Sequence, residues 1–140
     1  MNICFKKLSP YAKEPTKATD GSVGYDLYVS RLTSIRQRCS ALVPSGIAFE
    51  MPEGYYATVH LRSSMSKRGI VGSTGIIDND YTGEVFVMAS NLNNTIVTIN
   101  PGERIGQIIF HKYEPAQLEE VDRELKKTDR GSGGFGSTGK

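Results

Sequence analysis

Glycine and proline interrupt this chain so often that little of it can be helical. Fifteen glycines and six prolines are spread through 140 residues, and neither sits well inside a helix. Between them lie short runs rich in β-branched and aromatic residues: Ile3–Phe5, Ile47–Phe49, Tyr55–Leu61, Glu84–Ala89, Thr95–Ile99 and Arg104–Tyr113. Within Tyr55–Leu61 the order YYATVHL alternates as a half-buried strand does. Turn signals at Pro44–Gly46, Pro52–Gly54 and Asn100–Gly102 fall between the runs. The pattern predicts an all-β domain, a sandwich or barrel. The length suits one domain that buries a core without cross-links.

Two stretches depart from the strand pattern. Ser63–Arg68 (SSMSKR) suits one helical turn with Ser63 or Ser64 as its cap. Gln117–Lys127 places Leu118, Val121 and Leu125 at helical spacing. It reads either as a weak amphipathic helix or as an extended arm anchored by those three side chains. The last eleven residues, RGSGGFGSTGK, hold five glycines and one aromatic. They are expected to form a flexible tail, ordered only when something binds it.

Several classes are excluded by charge and composition. Seventeen basic against 15 acidic side chains leave a formal charge of +2, too balanced to argue for nucleic acid or a membrane surface. No apolar run approaches the roughly 18 residues that a bilayer requires. The opening MNICFKKLSP has no signal-peptide core, so an intracellular site, cytoplasmic or nuclear, is expected. Cys4 and Cys39 form no CxxC pair and read as reduced thiols. His60 and His111 have no partner at metal-ligand spacing, which argues against zinc.

The stretch richest in chemistry is GIIDNDYTGE, residues 75–84. Asp78 and Asp80 stand two apart at the head of an expected hairpin. They read as a hydrophilic turn, or as a turn in which one carboxylate is a general base buried by Ile76, Ile77 and Tyr81. The tail carries the spacing Gly131-x-Gly133-x-x-Gly136. A dinucleotide or phosphate-loop motif needs a strand before it and a helix after it, and the phosphate loop also needs a lysine. Ser137 stands there instead. What remains is a set of backbone N–H groups that, with Arg130, Ser137 and Thr138, suits an anion. Phe135 is a candidate for stacking on a ring. Arg62-Ser63-Ser64, Arg104 and Gln107 are weaker candidates for phosphate.

Taken in order, VGYDLY (23–28), LRSSMS (61–66), GIIDNDYTGE (75–84), PGERIGQ (101–107) and RGSGGFGSTG (130–139) resemble the five-motif series of the trimeric dUTP diphosphatases. The resemblance spans nearly the whole chain, and its third and fifth motifs are the most specific. It implies a jelly-roll-like β domain over residues 1–129, a C-terminal arm from about residue 114 to 129, and a nucleotide-covering tail over 130–140. It also implies a homotrimer with active sites shared among three subunits, and hydrolysis of dUTP to dUMP and pyrophosphate with Mg²⁺. That reaction keeps uracil out of DNA and supplies dUMP for thymidylate.

Residue by residue, the resemblance makes Asp78 the carboxylate that orients and deprotonates water. Tyr81 packs beneath the deoxyribose. Uracil is read by backbone of the hairpin Gly72–Ile77, including Gly75 and Ile77. Arg62, Ser63 and Ser64 hold phosphate, Gln107 makes a polar contact near the α- and β-phosphates, and Asp26 reaches the metal through water. Arg130, Gly136, Ser137 and Thr138 take the γ-phosphate, and Phe135 covers the base. The second motif departs from the pattern, because Leu61 and Ser64 stand where the family has proline and glycine; Ser64 adds a β-carbon where backbone approaches phosphate. Rival readings are a dCTP deaminase of the same fold, a nucleotide-sensing module that binds another protein, and a trimer without activity.

Overall fold

The structure, a computed structural model, describes residues 1–136. Within them ten strands follow in order: β1 (Cys4–Lys7), β2 (Gly24–Tyr28), β3 (Thr33–Ile35), β4 (Ser40–Glu50), β5 (Tyr55–Leu61), β6 (Ile70–Val71), β7 (Gly75–Ile77), β8 (Glu84–Asn91), β9 (Val97–Ile99) and β10 (Arg104–Lys112). One sheet has the order β1-β4-β8-β6, a second β2-β10-β5-β7, and β3 with β9 makes a two-stranded ribbon. Every pairing is antiparallel. The all-β architecture expected from the glycine and proline punctuation is the one found, and its antiparallel sheets match the jelly-roll-like domain that the family resemblance implies.

The core lies between the two larger sheets. Val43, Val85 and Val87 from the first meet Leu27, Ala57, Val59 and Ile108 from the second. Alternation delivers them: in β5, Ala57 and Val59 point inward, and in β8, Val85, Val87, Ala89 and Asn91 do so. Asn91 is the polar member of that series and is fully buried. Its Nδ2 donates to the carbonyls of Ile35 (2.9 Å) and Thr95 (2.8 Å), and its Oδ1 accepts from the Asn93 N–H. No described residue leaves a buried side-chain polar atom unpaired, as burial demands.

Three local expectations fail, and of the two readings of Gln117–Lys127 the helix is not found. Pro44–Gly46 is no turn between runs; it lies inside β4, where the register with β8 shifts between Pro44 and Ala48. There the Ser45 hydroxyl donates to the Val85 carbonyl (2.6 Å), and the Gly46 N–H donates to Glu84 (3.1 Å). Those bonds hold a bulge in a continuous strand. The 3₁₀ helix Ser63–Arg68 exists, but its cap is Arg62 and no side chain caps it. Gln117–Lys127 holds no helix; the segment is irregular, and Leu118 is fully exposed. Finally, β7 pairs with β5 whereas β6 and β8 belong to the other sheet. Neither Gly72–Ile77 nor Gly75–Glu84 is therefore a hairpin, and residues 78–83 cross from one sheet to the other.

The β4 bulge supports a stability prediction. Gly46 has φ +71°, and a Cβ there would lie 2.7 Å from that of Ala12 and 2.9 Å from that of Ser30. Left-handed strain and overpacking together put the cost of Gly46→Ala at about 2–4 kcal/mol. Urea denaturation is the check: a midpoint equal to that of the parent chain would show that the bulge relaxes freely.

Candidate active site

Asp78 is the first residue after β7 and opens the crossing to β8. The Tyr81 N–H donates to the Asp78 carbonyl (3.1 Å), closing a tight turn. The Tyr81 hydroxyl donates to the Glu84 carbonyl at 2.6 Å. Its ring lies so close over Gly83 that a Cβ there would meet the Tyr81 oxygen at 2.7 Å, so glycine at 83 is what lets the ring fold back. The expected burial of the carboxylate is not found within one chain: Asp78 is exposed, as are Ile76 and Tyr81. Its carboxylate has no hydrogen-bond or ion-pair partner among the described residues. A cleft of about 360 Å³ opens beside it, lined by Tyr56, Ile76, Asp78, Asn79, Asp80 and Tyr113.

Arg62, Ser63 and Ser64 lie where β5 gives way to the 3₁₀ helix. The Arg62 N–H donates to the Ile105 carbonyl (2.8 Å), which ties this turn to β10. Met65 plugs it into the core. At its far end Gly69 takes φ +72°, and Arg68 clamps the helix by pairing with Glu103 (2.9 Å) and donating to the Thr98 carbonyl (2.9 Å). Arg62 and Ser63 remain exposed and line a second cleft of about 370 Å³, together with His60 and Gly72–Thr74.

Asp26 and Gln107 face each other in the register of β2 and β10. Asp26 is partly buried and pairs through Oδ2 with Arg104 at 3.2 Å. The Gln107 side chain lies across Gly24, so closely that a β-carbon at 24 would collide with its carboxamide. Here one carboxylate, one guanidinium and one amide share a sheet surface, a mixed set suited to a hydrated, charged ligand.

Sheet register sets how far apart these groups stand. Gln107 pairs with His60 on β5, and Ile77 pairs with Ala57 on the same strand. Two strand spacings across and three residues along separate Gln107 from Ile77 by about 14 Å, and Asp78 lies one residue further. Asp78 and Tyr81 thus sit apart from Gln107, and neither lines the Arg62 cleft. In the described part of the tail, neither Arg130 nor Phe135 joins either group. Arg130 donates to the Gly133 carbonyl (2.6 Å), and Phe135 is fully exposed with φ +49°. Gly136 ends the described residues, and Ser137 and Thr138 lie outside them.

Two features escape sequence reasoning. The Thr58 hydroxyl bridges the Nε2 atoms of His60 and His111, 2.8 Å from each, and His111 stacks on Tyr56. Positions 58 and 60 share a strand face, but the β5–β10 register that brings in His111 is not written in either segment. The second is the Asn79 carboxamide, whose two partners are Pro52 in the β4–β5 connection and Tyr55 at the start of β5. Among the described residues no three His, Cys, Asp or Glu side chains converge as a metal site. No helix of the described residues is long and apolar enough to cross a membrane. Cys4 and Cys39 are free and exposed.

An antiparallel sandwich that presents its polar motifs from strand ends and crossings, with no helical layer, defines a class of all-β proteins. Within that class the chain belongs to the dUTPase family, whose model matches residues 10–139. It is 42% identical over 143 residues to the deoxyuridine 5'-triphosphate nucleotidohydrolase of Hydrogenobaculum sp., with 99% of each chain covered. Its fold matches the dUTPase of Staphylococcus bacteriophage 80alpha, solved with dUPNHPP, at a TM-score of 0.91 and 24% identity, over 99% of this chain and 98% of that one. It also matches a point mutant of the dUTPase from phage phi11 of S. aureus, described with a structural Mg(II) ion, at a TM-score of 0.82 and 20% identity, over 88% and 98%.

Proposed function

We propose that the chain hydrolyses dUTP to dUMP and pyrophosphate at a site assembled from three copies. The observation that carries the reading is the dispersal of the motifs. One chain holds Asp78 and Tyr81 at one end of its second sheet, Gln107 and Arg62 toward the other, and leaves Phe135 against nothing. Residues that face no partner within one chain find partners when copies assemble. Leu118 and Leu125 of the arm, bare here, supply the anchors for a neighbour.

In this reading the Asp78 carboxylate orients a water and takes its proton as the water oxygen bonds to the α-phosphorus; the bond to pyrophosphate then breaks. Arg62, Ser63, Ser64 and Gln107 donate to phosphoryl oxygens, where charge builds. Tyr81, held by its bond to Glu84, packs beneath the sugar where a 2′-hydroxyl would collide. Backbone of Gly75 and Ile77 reads the uracil edge, rejecting cytosine by its reversed donor pattern and thymine by its methyl. The tail, 130–140, closes over the nucleotide as a unit separate from the 1–129 domain. Phe135 covers the base, while Arg130, Gly136, Ser137 and Thr138 take the γ-phosphate.

Magnesium fits the residues present. Asp26 commits Oδ2 to Arg104 and leaves its other oxygen without a partner among the described residues, which suits an outer contact through water. The ion would ride mainly on substrate phosphates, as its reluctance to dehydrate favours. When bound it neutralises phosphate charge at the reacting centre.

The test is pyrophosphate release with magnesium from dUTP, dTTP, dCTP and UTP in parallel. Selective release from dUTP is expected. Ammonia from dCTP would replace the reading with a deaminase, and nucleotide binding without turnover would replace it with a sensing module.

A further inference from the structure

Asn79 stands between two exposed carboxylates and is itself half-buried. Its Nδ2 donates to the carbonyls of Pro52 and Tyr55, each at 2.8 Å. Two carbonyl acceptors fix the amide's orientation, since the reverse would set its oxygen against both. The segment it grips runs from the β4–β5 connection into the first residue of β5, and between the two acceptors Gly54 takes φ +84° and accepts the Tyr113 N–H through its carbonyl at 2.9 Å. That connection is therefore already secured to the end of β10.

The crossing from Asp78 to Gly83 is fixed at its two ends by Ile77, paired with Ala57, and by Glu84, paired with Ala48; between those ends little else holds it. Its other hydrogen bonds among the described residues, Tyr81 N–H to the Asp78 carbonyl and Tyr81 hydroxyl to the Glu84 carbonyl, are local. They shape the turn but do not place it against the sheet. The Asp78 carboxylate places nothing either, because it is unpartnered. We infer that Asn79 is the positioning residue that sets where the Asp78 carboxylate stands, by pinning the crossing to the β4–β5 connection. The inference rests on the proposed role of Asp78. A reacting group displaced by about 1 Å loses on the order of 10²-fold in rate, so the tether has a kinetic consequence even though Asn79 touches no substrate.

The experiment compares Asn79→Ala, Asn79→Asp and Asn79→Gln with the parent chain in three readouts: kcat, affinity for dUPNHPP, and amide exchange at Tyr81. Asn79→Ala is expected to lower kcat by about 10–100-fold, leave dUPNHPP affinity unchanged and speed Tyr81 exchange. Asn79→Asp keeps the shape but sets oxygen against two carbonyls, so it should recover nothing. Asn79→Gln keeps both donors on a longer stem and should restore part of kcat. Faster exchange with unchanged kcat would overturn the inference, and so would parallel losses of kcat and affinity. Asp78→Asn is assayed alongside. If it is inactive while Asn79→Ala is normal, only the Asn79 inference fails; if it keeps its turnover, the reading beneath fails as well.

Discussion

Asp78→Asn is expected to reduce kcat by about 10²–10⁴-fold, the contribution of a positioned general base, while binding dUPNHPP as the parent chain does. The structure makes this a clean substitution. The carboxylate accepts no hydrogen bond and joins no ion pair among the described residues, and it lies exposed. An amide of the same shape therefore removes no contact that holds the crossing, and the thermal midpoint should not move. What changes is charge and basicity: the side chain becomes neutral, and an amide cannot take the proton of the attacking water. The affinity measurement separates this from lost binding, because an interaction made only in the transition state lowers kcat and spares the ground state. Turnover preserved in Asp78→Asn would remove the residue from the reaction. Affinity lost together with turnover would assign it to holding the nucleotide.

How much of this was legible beforehand depended on whether a feature is local. Tyr55–Leu61 reads as a strand because Ala57 and Val59 enter the core while their neighbours do not, and that alternation is visible in the residues themselves. The first half of β4 was not legible. Pro44 and Gly46 signal a turn, yet a bulge bonded to Val85 and Glu84 carries the strand through them. β6 and β7, two and three residues long, owe their existence to partners far along the chain and leave no periodicity of their own. The irregular course of Gln117–Lys127 has a related cause. Of its helically spaced apolar residues, Leu118 and Leu125 stay exposed, and spacing without burial does not hold a helix. The candidate site divides along the same line. Asp78, Tyr81, Arg62 and Gln107 are marked by motif order, but their separation follows from register, with Gln107 opposite His60 and Ile77 opposite Ala57. The Asn79 tether is hidden for the same reason, because nothing near Asn79 in sequence announces Pro52 and Tyr55.

Removing residues 130–140 is expected to leave the fold intact and most of the activity gone. The side chain of Arg130 and the N–H of Gly131 bond within the tail and to Thr128, and Phe135 buries nothing, so the melting temperature should stay where it is. In the proposed reading the reaction loses a base-stacking ring, worth about 1–3 kcal/mol, and charge-assisted bonds to phosphate of about 1.5–3 kcal/mol. Together these amount to roughly 10²–10⁴-fold in kcat/KM. Unchanged kinetics would show that the tail takes no part. A mixing experiment then asks whether the tail serves its own chain or another. The truncated chain keeps Asp78 but has no tail, whereas full-length Asp78→Asn keeps the tail but lacks the base. No single chain in the mixture has both. Unfolded together and refolded as mixed assemblies, the two inactive proteins should recover turnover if one copy's tail closes over another copy's Asp78. Recovery follows from the dispersal seen here, in which Asp78, Gln107 and Phe135 of one chain do not meet. Mixed assemblies that form and stay inactive would mean that base and tail must come from the same chain, and the shared site would have to be abandoned.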